Sequence, residues 1–209
     1  MGNPRIDLFD LCKVVDATFW PLNRQELSRS AGGRTQAKDF GTPLWRASFT
    51  TAPALRYDAA DIEAALISLN GSVGSFLAYD VRRPYPRAHR AGDFSDAAEI
   101  GYLSPVDGFI LGLSGMPQGF TLSPGDYIGF EYGGAPSRSL HMVTEGSVFD
   151  GSGAAVVRVF PAIPPGAALS APVTFKRAPC EMILEPGGSP PSLRDMVASS
   201  VTFTAIQII

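Results

Sequence analysis

Histidine, cysteine and charge are all scarce in this chain of 209 residues. The two histidines, His89 and His141, have no metal-type neighbours: His-x-x-x-His, Cys-x-x-Cys and His-Glu-x-x-His are absent, so no bound metal and no metal enzyme is expected. His141 stands in the run Leu140-His141-Met142-Val143 and reads as a solvated or hydrogen-bonded strand residue. The two cysteines, Cys12 and Cys180, are far apart in sequence and sit beside Leu11 and Met182. They read as buried free thiols rather than a bridge or a reactive site.

Charged residues make up 18% of the chain, below the usual ~25%. With 17 Lys+Arg against 20 Asp+Glu the net charge is −3, which gives no long-range field to collect nucleic acid or an anionic membrane. So little charge points to a surface covered by a partner, because an isolated monomer needs charge to stay apart from its copies. No run approaches the ~18 apolar residues of a membrane span, so no membrane insertion is expected. The start, Met1 to Asp7, has no apolar h-region, and Ile6 occupies the Ser/Thr position of a myristoylation signal; neither a leader nor that lipid is expected. Asn70-Gly71-Ser72 matches a glycosylation acceptor but reads as a helix terminus.

Catalytic signatures are missing as well. Gly-x-Ser-x-Gly does not occur, since Gly112-Leu113-Ser114-Gly115 fails on spacing, and there is neither a phosphate loop nor a dinucleotide fingerprint, so no cofactor is expected. Asp58, Asp61, Glu63, Asp80, Asp93, Asp96, Glu99, Asp126 and Glu131 are spread over turns and caps, and read as structural rather than as a glycosidase pair. The chain is not expected to be an enzyme.

What the chain does have is turns. Gly 22 and Pro 18 make up about a fifth of it, against a usual ~12%. One segment reads as a helix, over about 58–70. Asp58 is placed as N-cap, Asp61 at the capping-box position, Ile62, Leu66 and Leu69 form the apolar stripe, and Asn70-Gly71 ends it. Ser192 to Val197 could add one or two turns. Trp45, Ala47 and Phe49 alternate with polar residues, as do Val201, Phe203 and Ala205, and Phe76 and Ala78 follow the helix in a similar register; all read as half-buried strands.

Between these lie apolar runs at Phe109 to Leu113, Phe120 to Leu122, Tyr127 to Tyr132, Ser139 to Thr144, Ala155 to Phe160 and Val173 to Phe175, separated by Gly, Pro, Ser and Asp turns. Short strands in succession with no helix between them indicate an antiparallel barrel or sandwich. The expected architecture is mainly β with a minor α+β character. A β-sandwich-like domain with one packed helix, 1–97 and 177–209, holds a small β-barrel inserted over 98–176.

One local feature stands out. Arg82, Arg83, Arg87, His89 and Arg90, interleaved with Pro84, Tyr85 and Pro86, form a basic, stiff, extended loop after the Phe76 to Asp80 strand. Arginine forks and tyrosine faces suit carboxylates and protein surfaces, and also nucleic-acid backbones; a solvated loop is the plain alternative. Arg82, Arg83, Tyr85, Arg87 and Arg90 are the candidate contact residues.

The order of features resembles the distal tail proteins of long-tailed, siphovirus-like bacteriophages and gene transfer agents. The resemblance is carried by Trp45-Arg46-Ala47-Ser48-Phe49-Thr50, by the helix ending Leu66-Ile67-Ser68-Leu69-Asn70-Gly71, and by Gly74-Ser75-Phe76-Leu77-Ala78-Tyr79-Asp80. Further along it rests on Leu122-Ser123-Pro124-Gly125-Asp126-Tyr127-Ile128, on Asp150-Gly151-Ser152-Gly153 and Val159-Phe160-Pro161, and on Val201 to Ile206. It implies a virion protein of the tail tip or baseplate, assembled in the host cytoplasm. It further implies a homo-oligomeric ring, hexameric in type, with the tail tube protein on one side, the tail-tip hub protein on the other, and tape-measure protein or DNA in the lumen. The inserted domain would be OB-like. Residues Gln25 to Lys38 would be a ring-forming arm, a hairpin ordered by a neighbour, or a long loop. The rival from another class is a carbohydrate-binding β module recognising a host saccharide, with Tyr79, Tyr85, Tyr127 and Tyr132 as stacking faces. Against it, positions 127 and 132 have opposite parity on one strand.

Overall fold

The structure, a computed structural model, describes residues 4–29, 32–134, 137–187 and 198–209. The chain opens with a short helix α1 (Leu8–Cys12), strands β1 (Val14–Leu22), β2 (Gln25–Arg29), β3 (Thr35–Asp39), β4 (Leu44–Thr51) and β5 (Ala54–Leu55), helix α2 (Arg56–Ser68) and strand β6 (Ser75–Ala78). A 3-10 turn over Arg87–His89 leads to β7 (Ala98–Leu103), β8 (Ile110–Ser114), β9 (Thr121–Leu122), β10 (Tyr127–Tyr132), β11 (Ser137–Glu145), β12 (Ser147–Val148), β13 (Ala154–Phe160) and β14 (Pro172–Thr174). The chain closes with β15 (Cys180–Leu184), β16 (Ala198–Ser199) and β17 (Thr202–Gln207). The fold is mainly β, as the alternation implied, and the succession of short strands closes into a small barrel rather than a sandwich.

Five antiparallel strands form a sheet in the order β1-β4-β17-β15-β6, taken from both ends of the chain. In β4 every second residue, from Trp45 to Thr51, is buried, and β17 repeats the pattern at Phe203 and Ala205 directly opposite Phe49 and Ala47. That cross-strand match stacks Phe49 against Phe203 at 5.2 Å between ring centres. Helix α2 adds Ala59, Ile62, Ala65, Leu66 and Leu69 as its buried stripe.

The helix begins at Arg56, before the expected Asp58 cap. Leu55 is the extended N-cap and gives no side-chain bond, while Asp58 stands inside the first turn, where a carboxylate favours the positive helix end. The stop falls where expected. Asn70 and Gly71 both have positive φ (54° and 66°), and the Gly74 N–H returns to the Leu69 carbonyl at 2.8 Å. The suggested turn at Ser192 to Val197 lies outside the described residues.

The barrel closes with β10-β11-β13-β8-β7-β14, every neighbouring pair antiparallel. It has six strands, one more than the five of the OB arrangement named by the resemblance. Ile100, Leu111, Leu113, Ile128, Phe130, Val157, Val159 and Phe175 fill its interior. The other faces of β10 and β11 turn Tyr127 and Leu140 into the core of the sheet, where Tyr127 meets Trp45 at 5.8 Å. The Trp45 indole Nε1 donates to the Leu140 carbonyl at 2.7 Å, so barrel and sheet share apolar packing and a buried hydrogen bond.

Candidate functional site

The basic loop leaves the sheet at the end of β6, and its first act is to neutralise a buried acid. The Asp80 side chain is 0% exposed. Its Oδ1 accepts the Arg82 backbone N–H at 3.0 Å and the Arg82 Nε at 3.1 Å, while Oδ2 accepts the Arg83 Nε at 3.1 Å. A buried carboxylate without a partner is costly, and two guanidinium forks supply one here.

Arg83 then reaches the barrel. It donates to the Gly125 carbonyl at 3.1 Å and to the Tyr127 hydroxyl at 2.9 Å, with its guanidinium carbon 4.8 Å from the Tyr127 ring centre. Burial raises the pKa of the Tyr127 hydroxyl above its ordinary value, against the pull of Arg83, so this phenol stays a neutral acceptor for that arginine.

The rest of the loop is folded rather than extended. Asp126, itself buried, accepts the Arg87 backbone N–H at 2.8 Å and the Ser123 N–H at 2.7 Å, which fixes the start of the 3-10 turn. His89 lies flat on Phe120 at 4.0 Å, and its Nε2 accepts the Thr121 N–H at 3.2 Å. Gly92 has φ +67°, and a Cβ there would lie 2.8 Å from the Tyr85 ring, so glycine lets the chain close over that tyrosine. The Arg177 N–H donates to the Pro84 carbonyl at 2.6 Å, tying the loop to the segment that re-enters the sheet.

Arg82, Arg83, Tyr85, Arg87 and Arg90 all line one groove of about 540 Å³, floored by Pro124, Gly125 and Asp126. The five therefore come together, but in two classes. Arg82 and Arg83 are bound to Asp80, whereas the guanidinium groups of Arg87 and Arg90 have no ion-pair or hydrogen-bond partner among the described residues. The basic composition signalled the groove, and the Asp-x-Arg-Arg spacing at 80–83 could have signalled the internal pairing. The link from Arg87 to Asp126 spans 39 positions and leaves no local pattern.

The remaining candidates lie elsewhere. His141 is buried in the barrel, stacked on Phe130 at 5.0 Å, with Nδ1 donating to the Pro161 carbonyl at 2.8 Å and Nε2 accepting from the Ser139 hydroxyl at 2.7 Å. Burial lowers its pKa to about 4. Cys12 and Cys180 are buried free thiols, and burial pushes Cys12 up to about 11, which leaves it an inert thiol at neutral pH. Asp96 accepts the Phe175 and Lys176 N–H groups, and Glu131 pairs with Arg138 at 2.7 Å. Tyr127 is buried and Tyr79 carries Arg177 against its ring, so neither offers a free stacking face. Among the described residues no group of His, Cys, Asp or Glu could hold a metal ion, and no helix is long and apolar enough to cross a membrane. Neither a scan against protein-family models nor a search of curated proteins finds a match to the chain.

Proposed function

We propose that the chain is a structural subunit that assembles into a ring, of the kind that joins the tail tube to the tail-tip hub in long-tailed phages and gene transfer agents. The observation that supports this reading most is the β2–β3 hairpin. All ten of its strand residues are exposed, including Leu27 at 71%, and among the described residues the two strands pair only with each other. A lone two-stranded hairpin is marginal in water, so a protruding one of this kind gains from a neighbouring surface. Among the described residues the long edge strand β1 from which it springs pairs on one side only, with β4. Identical subunits meeting through two different patches close into rings. In that setting the tube and hub proteins would lie on the two faces, the lumen would pass tape-measure protein or DNA, and the protein would reside in the virion.

Electron microscopy and native mass spectrometry of the purified chain test this directly. The expected result is a discrete ring that disappears when residues 25–39 are replaced by a short Gly-Ser link, while thermal unfolding of the remaining chain is unchanged. A full-length chain that stays monomeric at every accessible concentration overturns the reading.

A further inference from the structure

The groove at the sheet–barrel junction carries two cations that the fold itself does not use. Asp80 is satisfied by Arg82 and Arg83, and Asp126 is satisfied by two backbone N–H groups. Arg87 and Arg90 are left exposed beside them. Arg87 opens the 3-10 turn, and Arg90, at φ −61° and ψ −24°, continues its helical geometry. In a 3-10 helix positions i and i+3 eclipse, with a rise of ~2 Å per residue, so the two side chains leave the same side about 6 Å apart. An extended peptide places alternate side chains about 6.7 Å apart on one face. Two carboxylates at alternate positions of an extended segment therefore match Arg87 and Arg90 in charge and in the spacing of their backbone positions.

The walls fit the same occupant. Pro84, Tyr85 and Pro124 offer apolar surface beside the charges, and the Gly92 backbone passes close over the Tyr85 ring. A nucleic-acid strand is the weaker match, because a chain of net charge −3 with two unused arginines in this groove lacks the broad positive field that phosphate backbones require. We propose that this groove binds an extended acidic segment of a partner protein, with alternate Asp or Glu side chains seated on Arg87 and Arg90. The proposal rests on the ring reading only in taking the occupant to be a neighbouring protein.

The test uses the full chain and three fluorescent probes read by anisotropy at low salt: a peptide with alternating glutamates, the same peptide with glutamines, and an oligothymidine of equal charge. The glutamate peptide is expected to bind, the glutamine peptide to bind at least tenfold more weakly, and Arg87→Ala/Arg90→Ala to lose about tenfold in affinity for the glutamate peptide with unchanged thermal unfolding. Arg158→Ala, which removes a cation paired with Asp107 away from the groove, is expected to keep full affinity. Equal binding by the double variant overturns the proposal, and so does tighter binding of the oligothymidine. Ring formation is scored separately by microscopy. Peptide binding without rings leaves the groove standing and removes the ring, whereas rings without peptide binding do the reverse.

Discussion

The five-stranded sheet and the barrel bury their strands in different ways. In β4 the burial alternates strictly, buried at Trp45, Ala47, Phe49 and Thr51 and half-buried between them. In β10 the four residues Tyr127 to Phe130 are all buried. The side chains still alternate, because Ile128 and Phe130 point into the barrel while Tyr127 joins the core of the sheet. A consecutive buried run in an antiparallel strand thus marks a second covered face rather than a different period. Here the covering body is the sheet, and the two bodies meet at Trp45, Tyr127 and Leu140.

If this shared face makes the two bodies one cooperative unit, removing its centre has the largest effect. Trp45→Ala deletes a fully buried ring and its bond to Leu140, and should cost about 4 kcal/mol. Urea unfolding followed by fluorescence and by circular dichroism should change from coincident transitions to separate ones. Coincident transitions in the variant would show that the two cores are coupled elsewhere.

Acid should distinguish the two bodies next. His141 lies inside the barrel, and its pKa of about 4 is below the ordinary 6.5 because burial disfavours the cation. A depressed folded pKa means that the unfolded chain binds more protons below pH 6.5. The contribution is therefore fully present above pH 6.5 and lost as pH falls through about 4, up to roughly 3 kcal/mol. Measured from pH 7 to pH 4, the stability advantage of the native chain over His141→Asn should narrow by that amount. An advantage independent of pH would sink the assignment of a neutral buried imidazole.

The same contrast explains what the sequence disclosed. Strands with one covered face, β4 and β17, were legible from alternation, and β10 from its apolar run between turns. The inner-core segments that went unread were β7, β15, α1 and β1. As an edge strand β1 carries Asp16, Thr18 and Pro21, which an unpaired edge tolerates and which hide its period. In β15, Glu181 interrupts the apolar run yet is held by the Ser75 hydroxyl at 2.6 Å, a contact 106 positions away. The sequence places the helix start at the Asp58 carboxylate because Leu55, the residue at the N-cap, offers no capping side chain. Basic residues announced the groove, but their division into paired and unused arginines depends on where Asp80 and Asp126 end up in the fold.

Arg83 joins the bodies by polar contacts where Trp45 joins them by packing and a buried hydrogen bond, and its removal should matter less. Arg83→Ala leaves Asp80 with Arg82 and deprives the Gly125 carbonyl and Tyr127 hydroxyl of a donor, a loss of about 2 kcal/mol. Lysine should restore only part of it, because one ammonium cannot serve Asp80, Gly125 and Tyr127 with the geometry of a fork. Full rescue by lysine in urea titrations would reduce the contact to simple charge.

The smallest effect on folding is expected on a surface that neither body covers. Ile67 is 76% exposed on α2, beside the buried Leu66, so Ile67→Ser gives up little on folding and should change monomer stability by less than about 0.5 kcal/mol. An apolar side chain so exposed contributes only where something else covers it. The informative readout is therefore assembly: a reduced ring population at unchanged stability would place this helix face in a subunit contact, whereas an unaltered ring would leave it outside.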